Sequence, residues 1–376
     1  MTRTAKLLAE LIALPSVNPA FLAARHPHAG EGRVVEFLAA VGAKAGLDVE
    51  FHKALPNRPN LLLRLVPRWK PQRRILLAPH LDTVNIVSES QLKPACRNGR
   101  MYGRGAADTK GSVAALFTAL CELAQSKSRP WTSEVIFVGL VDEEHLQGGS
   151  RALAASRLKA DLAIVGEPTR LVVATAHKGL VWLNVETRGK SAHGAMPHCG
   201  RNAVHKMARA VELIETDYAR QLRRARHPVL GCATVNVGTI RGGTQANIVP
   251  DHCVINVDRR MLPGETETST RRDLEKFLWA RKVKARVSNV KLKPCPALET
   301  DADLPLVKQF LRSIGQPGPR GVHYFCDAAV LAAGGIPSVV FGPGDIAQGH
   351  TADEWISLAQ LDRAKDTLLH FLKSLP

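Results

Sequence analysis

Aromatic residues are scarce: Phe, Trp and Tyr make up 5% of the 376 residues. That argues against the aromatic-studded basic groove in which single-stranded nucleic acids are held. Cysteine is sparse as well, seven in the chain with no Cys-x-x-Cys pair and no regular spacing. A disulfide-stapled secreted scaffold is therefore excluded, and an odd number of thiols fits a reducing, cytoplasmic compartment. No apolar run is long enough to span a bilayer, so no membrane association is expected. The opening segment "MTRTAKLLAELIALPSVNP" carries Leu7, Leu8, Leu11, Ile12 and Leu14 at helical spacing, which predicts an amphipathic helix and not a signal peptide. Acidic charge is in deficit too: 34 Asp and Glu face 51 Lys and Arg, a formal net charge of +17. The basic residues are spread through "VPRWKPQRR", "RQLRRARH" and "RRDLEKFLWARKVKAR" with little aromatic interleaving. They read as a solvated basic surface, with no nucleic-acid partner.

Short, continuous apolar runs are plentiful. "RRILLAPH", "SEVIFVGLVDEE", "ADLAIVGEPT" and "IPSVVFGPGD" have the pattern of strands covered on both faces, as in a parallel sheet. Between and around them, "EGRVVEFLAAVGAKAGL", "DTKGSVAALFTALCELAQS" and "GGSRALAAS" have helical periodicity. The expected fold is α/β, with a mostly parallel core sheet flanked by helices. From about Lys178 to Lys293 the pattern changes. "GLVWLNVETRG", "CATVNVGTIRGG" and "CVINVDRRML" read as half-exposed strands, and "NAVHKMARAVELIETDYARQL" and "ETSTRRDLEKFLWARK" as amphipathic helices. Residues 178–293 are thus expected to form an inserted α+β domain, with 1–177 and 294–376 together forming the catalytic domain.

The chemistry lies after the buried strands. His80 and Asp82 follow "RRILLAP", Asp108 follows the loop "YGRGAA", Glu143 and Glu144 follow "SEVIFVGLVD", Glu167 follows "ADLAIVG", and His350 follows "IPSVVFGPGDIAQG". In open α/β sheets ligands bind beyond the carboxyl ends of the strands. Any one of these residues alone would be an ordinary solvated side chain, but their coincidence at one sheet edge is not ordinary. Clustered carboxylates repel one another unless a cation sits among them. Two imidazoles with several carboxylates suit zinc, with cobalt or manganese as substitutes, and outnumber the ligands of one catalytic ion. Asp82, two residues beyond His80, is placed to accept the other ring N–H of that histidine and fix its orientation. The adjacent Glu143 and Glu144 invite a division of labour between metal ligand and general base.

Taken in order, "HLD", "GRGAADTKG", "VDEEHLQGGS", "VGEPT", "KSAHGAMP" and "QGHTADEW" resemble the dinuclear zinc deacylase and exopeptidase family, which includes acetylornithine deacetylase, succinyl-diaminopimelate desuccinylase, aminoacylase and glutamate carboxypeptidase. The resemblance runs from His80 to Glu354, and the insert falls where that family places its smaller lid or dimerisation domain. It implies His80 and Glu167 on one zinc, Glu144 and His350 on the other, and Asp108 bridging the two through a residue whose peptide to Thr109 is cis. It further implies Glu143 as general base and acid, and His193 of "SAHGAMP" as an oxyanion stabiliser acting across a homodimer interface. Asn247 of "GGTQANIVP" and Arg259 of "VDRR" would bind the substrate's carboxylate. The implied reaction is amide hydrolysis of N-acyl amino acids or short peptides, with acetylornithine deacetylase the nearest activity and succinyl-diaminopimelate desuccinylase, aminoacylase or carboxypeptidase the alternatives. Leu81, Asn85, His145 and Leu146 depart from the family's commoner residues without removing a ligand or the base.

Overall fold

The computed structural model describes residues 1–291 and 293–376. The chain forms two compact units: residues 1–176, 300–320 and 326–376 make the first, and residues 177–299 with 321–325 the second.

The first unit is built on a twisted sheet running, in spatial order, through Asp48–Leu55, Arg58–Leu65, Ser133–Gly139, Arg73–Leu77, Leu162–Val165 and Ser338–Val340. The four inner strands, from Ser133–Gly139 to Ser338–Val340, are mutually parallel. Asp48–Leu55 and Arg58–Leu65 add an antiparallel pair at one side. The apolar runs read from the sequence are these inner strands: every residue of Ser133–Gly139 and of Leu162–Val165 is buried. Burial on both faces explains why they lack alternation.

Helices cover the sheet as expected. Lys110–Gln125 is buried along nearly its whole length, from Lys110 to Cys121 and at Leu123. It lies against Leu358–Lys373 and the amphipathic first helix, Arg3–Ala13. Leu8, Leu11, Ile12, Leu116, Leu120, Phe310, Phe341 and Phe371 belong to one apolar core there. The strand Asp48–Leu55 was not read from the sequence, where its alternation is short, and its apolar residues Val49 and Phe51 are exposed. Nor does the sequence announce the small antiparallel sheet of Ala95–Arg97, Arg100–Tyr102 and Trp355–Ser357.

The second unit is a four-stranded antiparallel sheet ordered Thr234–Gly242, His252–Met261, Gly179–Arg188, Ala285–Asn289. Val181, Leu183 and Val185 alternate inward from one strand, and Ile255 and Val257 from the next. They share a core with Leu274, Phe277 and Leu278 of the helix Glu267–Ala280. That helix opens on a reciprocal cap, with Thr266 and Ser269 each bonding the other's main-chain N–H. A second helix, Ala203–Leu213, contributes Met207 and Ala210 to the same core. Cys96, Cys121, Cys199, Cys232, Cys253 and Cys326 are free thiols, and among the described residues no helix is long and apolar enough to cross a membrane.

Candidate metal centre

Because the inner strands of the first unit are parallel, their carboxyl ends share one edge. The strand Arg73–Leu77 leads through Ala78 and Pro79 to His80, which bridges Leu140 just past the end of Ser133–Gly139. Glu143 and Glu144 follow three and four residues later, Glu167 leaves Leu162–Val165, and His350 lies in the loop after Ser338–Val340. Asp108 enters from the side, immediately before the helix Lys110–Gln125, and its peptide to Thr109 is cis.

Asp108 stands between the two imidazoles. Its Oδ1 is 3.1 Å from His80 Nε2, and its Oδ2 is 3.3 Å from His350 Nε2. Glu167 Oε1 lies 3.8 Å from His80 Nε2 on one side, and Glu144 lies 3.2 Å from His350 Nε2 on the other. Donor atoms of His80, Asp108 and Glu144 fall within 4.8 Å of one another. Thus five residues far apart in the chain form two imidazole–carboxylate pairs with one carboxylate between them.

The electrostatics follow from this crowding. Burial pushes the Glu143, Glu144 and Glu167 carboxyls up, and the neighbouring carboxylates push further in the same direction. Burial also acts upward on Asp108, but its hydrogen bonds with His350 and His80 outweigh that and hold it below the usual carboxylate range. The bonds to Asp108 and Glu144 raise His350 to about 10. In His80, burial pulls the imidazole down, yet hydrogen bonding with Asp108 and Asp82 wins and lifts it well above its usual value. The carboxylates therefore demand positive charge at the positions of the ring Nε2 atoms. A divalent cation would satisfy that demand in place of the Nε2 protons. The donor set, imidazole nitrogen and carboxylate oxygen without thiolate, fits zinc, cobalt or manganese.

Asp82 does more than the sequence suggested. His80 Nδ1 lies 3.0 Å from the main-chain carbonyl of Asp82 and 3.4 Å from its carboxylate, so this side of the ring is fixed mainly through the backbone. The carboxylate accepts the main-chain N–H groups of Glu143 at 3.0 Å and Glu144 at 3.1 Å. One aspartate thus holds His80 and both adjacent glutamates in register. Behind it lies a buried polar network that no sequence periodicity announces. Asn18 Nδ2 donates to Asp82 at 2.7 Å and to Asp142 at 3.0 Å. Arg58 forks onto Glu31 at 2.8 and 2.7 Å and reaches Asp142 at 3.2 Å. Asp142, at φ +70°, closes the loop carrying the glutamates by accepting from Gln147 N and Gly148 N. Asparagine and aspartate tolerate that left-handed backbone better than other side chains with a Cβ.

Replacing Asn18 by leucine leaves the buried Asp82 and Asp142 carboxylates facing each other without the amide between them. The expected cost is about 1–3 kcal/mol of folding stability, read by denaturant unfolding, together with a fall in kcat that exceeds any change in KM. Unchanged unfolding and turnover would show that the amide is not needed there.

Glu354 is another residue the sequence did not single out, although it stands in "QGHTADEW". Buried, it accepts from the N–H groups of Gly105 at 3.0 Å and of Ala107 and Asp108 at 2.9 Å, and pairs with Arg104 at 2.7 Å. It therefore fixes the loop that presents Asp108. Thr109 Oγ1 donates to the Gly166 carbonyl at 2.7 Å, joining that loop to the one bearing Glu167.

The three expected residues of the insert lie in the second unit. His193 and Asn247 are exposed and adjacent: His193 pairs with Ile248 across a short bridge, and Gly194 N donates to the Asn247 carbonyl at 2.7 Å. A cavity of about 530 Å³ lined by Gly194, Gln245 and Ala246 opens beside them. Arg259 is buried and already bonded within the second unit. It is 1% exposed, and its guanidinium bonds Glu265 at 2.5 Å and the main-chain carbonyl of Arg260. Alternate residues of a strand face opposite sides. Arg259 points into the core, and Arg260, held by Asp258 at 2.9 Å, is on the partly open face.

Residues 76–374 match the profile of Peptidase family M20/M25/M40. An acetylornithine deacetylase of Myxococcus xanthus is 32% identical over 353 residues, covering 89% of this chain and 90% of that protein. Aminopeptidase PepT from Bacillus cereus ATCC 10987 superposes with a TM-score of 0.79 at 23% identity, over 99% of this chain and 97% of its own. The Bacillus subtilis YXEP protein, described as a dinuclear metal-binding peptidase of the M20 family, gives a TM-score of 0.68 at 13% identity over 99% and 97% of the two chains. Profile, sequence relative and fold together place this chain in the M20/M25/M40 peptidase family, as a metal-dependent hydrolase of amide bonds.

Proposed function

We propose that the chain is a dinuclear zinc deacylase acting on N-acyl amino acids, with N-acetylornithine as the first substrate to test. The observation that carries the dinuclear reading is the position of Asp108, one oxygen toward each imidazole. In this reading His80 and Glu167 would hold one ion, Glu144 and His350 the other, with Asp108 available to both. Bound there, two divalent cations supply Lewis-acid polarisation of the acyl oxygen and a water that ionises near neutral pH.

The protein's own contribution is positioning and proton transfer. Glu143, beside these ligands, is left without an assigned cation. Its main-chain N–H is pinned by Asp82, and its carboxyl is raised by burial, which moves it toward the range a general base needs. It takes a proton from the attacking water and returns it to the leaving nitrogen. The expected roles of His193 at the developing oxyanion and of Asn247 at the substrate's polar end belong to the same proposal. Arg260 takes over the carboxylate-binding role expected of Arg259, because it is on the open face of the strand. A homodimer, in which His193 comes from a second copy, belongs to the same proposal, as does a cytoplasmic location. The reading of the substrate is supported by the deacetylase relative at 32% identity. Succinyl-diaminopimelate and dipeptides stay in the panel because selectivity rests on a few pocket contacts.

The test is hydrolysis by the zinc- or cobalt-loaded protein of N-acetylornithine, N-succinyl-diaminopimelate, several N-acetyl amino acids and a few dipeptides, with and without chelator. The expected result is one acyl amino acid preferred by about two orders of magnitude or more, with activity lost to chelator and restored by metal. Removal of metal should be easier at lower pH, because protons compete for the same carboxylates and imidazoles. A preference for dipeptides over every acyl amino acid would replace the deacylase reading with a peptidase one.

A further inference from the structure

The reaction above makes little use of the net charge of +17. Much of the basic character that the sequence scatters is gathered by the fold of the second unit. A concavity of about 730 Å³ is lined by Arg188, Arg201, Lys206, Lys284 and Arg286, with Glu186 its single carboxylate. These residues come from three separate segments: the strand Gly179–Arg188, the start of the helix Ala203–Leu213 with the residues before it, and the strand Ala285–Asn289 with the residue before it. All five cations are exposed. Glu186 is already engaged, by Arg188 at 2.5 Å and His252 at 3.2 Å.

A second concavity, of about 420 Å³, shares Lys206 and Lys284 with the first and adds Arg209, Lys282 and Trp279. Trp279 is 59% exposed. Its indole N–H donates to the Ala285 carbonyl at 2.9 Å, so the ring is tethered by one edge while much of its surface is open. Seven cations around two adjoining hollows repel one another, and one engaged carboxylate does little to offset them. Such a surface gains most from a ligand carrying several negative charges, and Arg side chains suit phosphate oxygens in particular. Each hollow is in the size range of small-ligand sites, not of a track for a long strand.

We infer that this surface binds a small phosphorylated ligand of the nucleotide class, its phosphates among Arg188, Arg201, Lys206, Lys284 and Arg286 and its ring against Trp279. The site lies wholly within the second unit and is independent of the hydrolytic reading.

The test uses the full-length, metal-loaded protein with Mg²⁺ in excess, at about 0.15 M ionic strength, where weak surface attraction is screened. ATP, inorganic pyrophosphate and adenosine are titrated calorimetrically. ATP should bind more tightly than pyrophosphate, and adenosine weakly or not at all. The double variant K284S/R286S should weaken both phosphate ligands by about tenfold or more, with its thermal unfolding unchanged because both side chains are exposed. W279F should weaken ATP while leaving pyrophosphate as it was. No binding of ATP or pyrophosphate at this salt would overturn the inference, as would affinities unchanged in K284S/R286S. Equal affinity for ATP and pyrophosphate, unaffected by W279F, would refute the placement of the ring. Binding of a single-stranded oligonucleotide far more tightly than ATP would identify the surface as a nucleic-acid contact and also contradict the inference.

Discussion

Glu143→Ala should lower turnover of the preferred acyl amino acid by about 10²- to 10⁴-fold, the range supplied by a positioned general base, while metal content stays as in the parent protein. The reason is geometric. Glu143 lies beside the carboxylates assigned to the ions but is not needed for either imidazole pair: His80 has Asp108 and Glu167, and His350 has Asp108 and Glu144. What fixes Glu143 is its main-chain N–H on Asp82, which alanine retains. The side chain can therefore be removed without dismantling the cluster. Metal analysis alongside steady-state kinetics decides the matter. Turnover kept within a few-fold would remove Glu143 from the proton-transfer role. A parallel loss of metal would instead make it a ligand.

The second large effect is at Asp108. If one carboxylate serves both cations, Asp108→Ala should reduce the bound metal from about two ions per chain to well below one, and turnover should vanish with it. His80→Ala should be milder in metal content, losing chiefly the ion it shares with Glu167, though not in activity. Cluster repulsion sharpens the contrast. Glu144 and Glu167 are already raised by burial and by the carboxylates around them, so an ion held by one residue fewer competes poorly with protons. Metal content of the two variants, measured after dialysis at the same pH, separates these cases. Equal loss in both would mean that Asp108 does not bridge.

What could be read from the sequence, and what could not, divides on physical lines. The inner strands were legible because burial on both faces leaves an unbroken apolar run, and Leu162–Val165 is such a run. Parallel strands share one carboxyl edge, so residues just past these runs could be assigned to a common site before any distance was known. The edge strand Asp48–Leu55 was not legible, since its alternation is short and its apolar residues Val49 and Phe51 are exposed. The supports of the site were hidden for another reason. Asn18, Glu31, Arg58 and Asp142 lie on loops and strand ends up to 124 residues apart, and no local period records a buried hydrogen bond. Glu354 was in view within a quoted motif, yet nothing in "TADEW" says that its carboxylate accepts three main-chain N–H groups. Arg259 and Arg260 point to opposite sides of their strand, and the motif alone does not say which of the two is buried. The basic surface of the second unit showed in the sequence only as the run "RRDLEKFLWARKVKAR", because two further segments complete it.

A stoichiometric titration of metal-stripped protein with zinc or cobalt, following turnover of the best substrate from the panel, tests the dinuclear centre directly. No activity is expected without metal, and then a rise that saturates at about two equivalents per chain. Turnover by the stripped protein, or two ions bound with no hydrolysis of any acyl amino acid or dipeptide, would contradict that expectation.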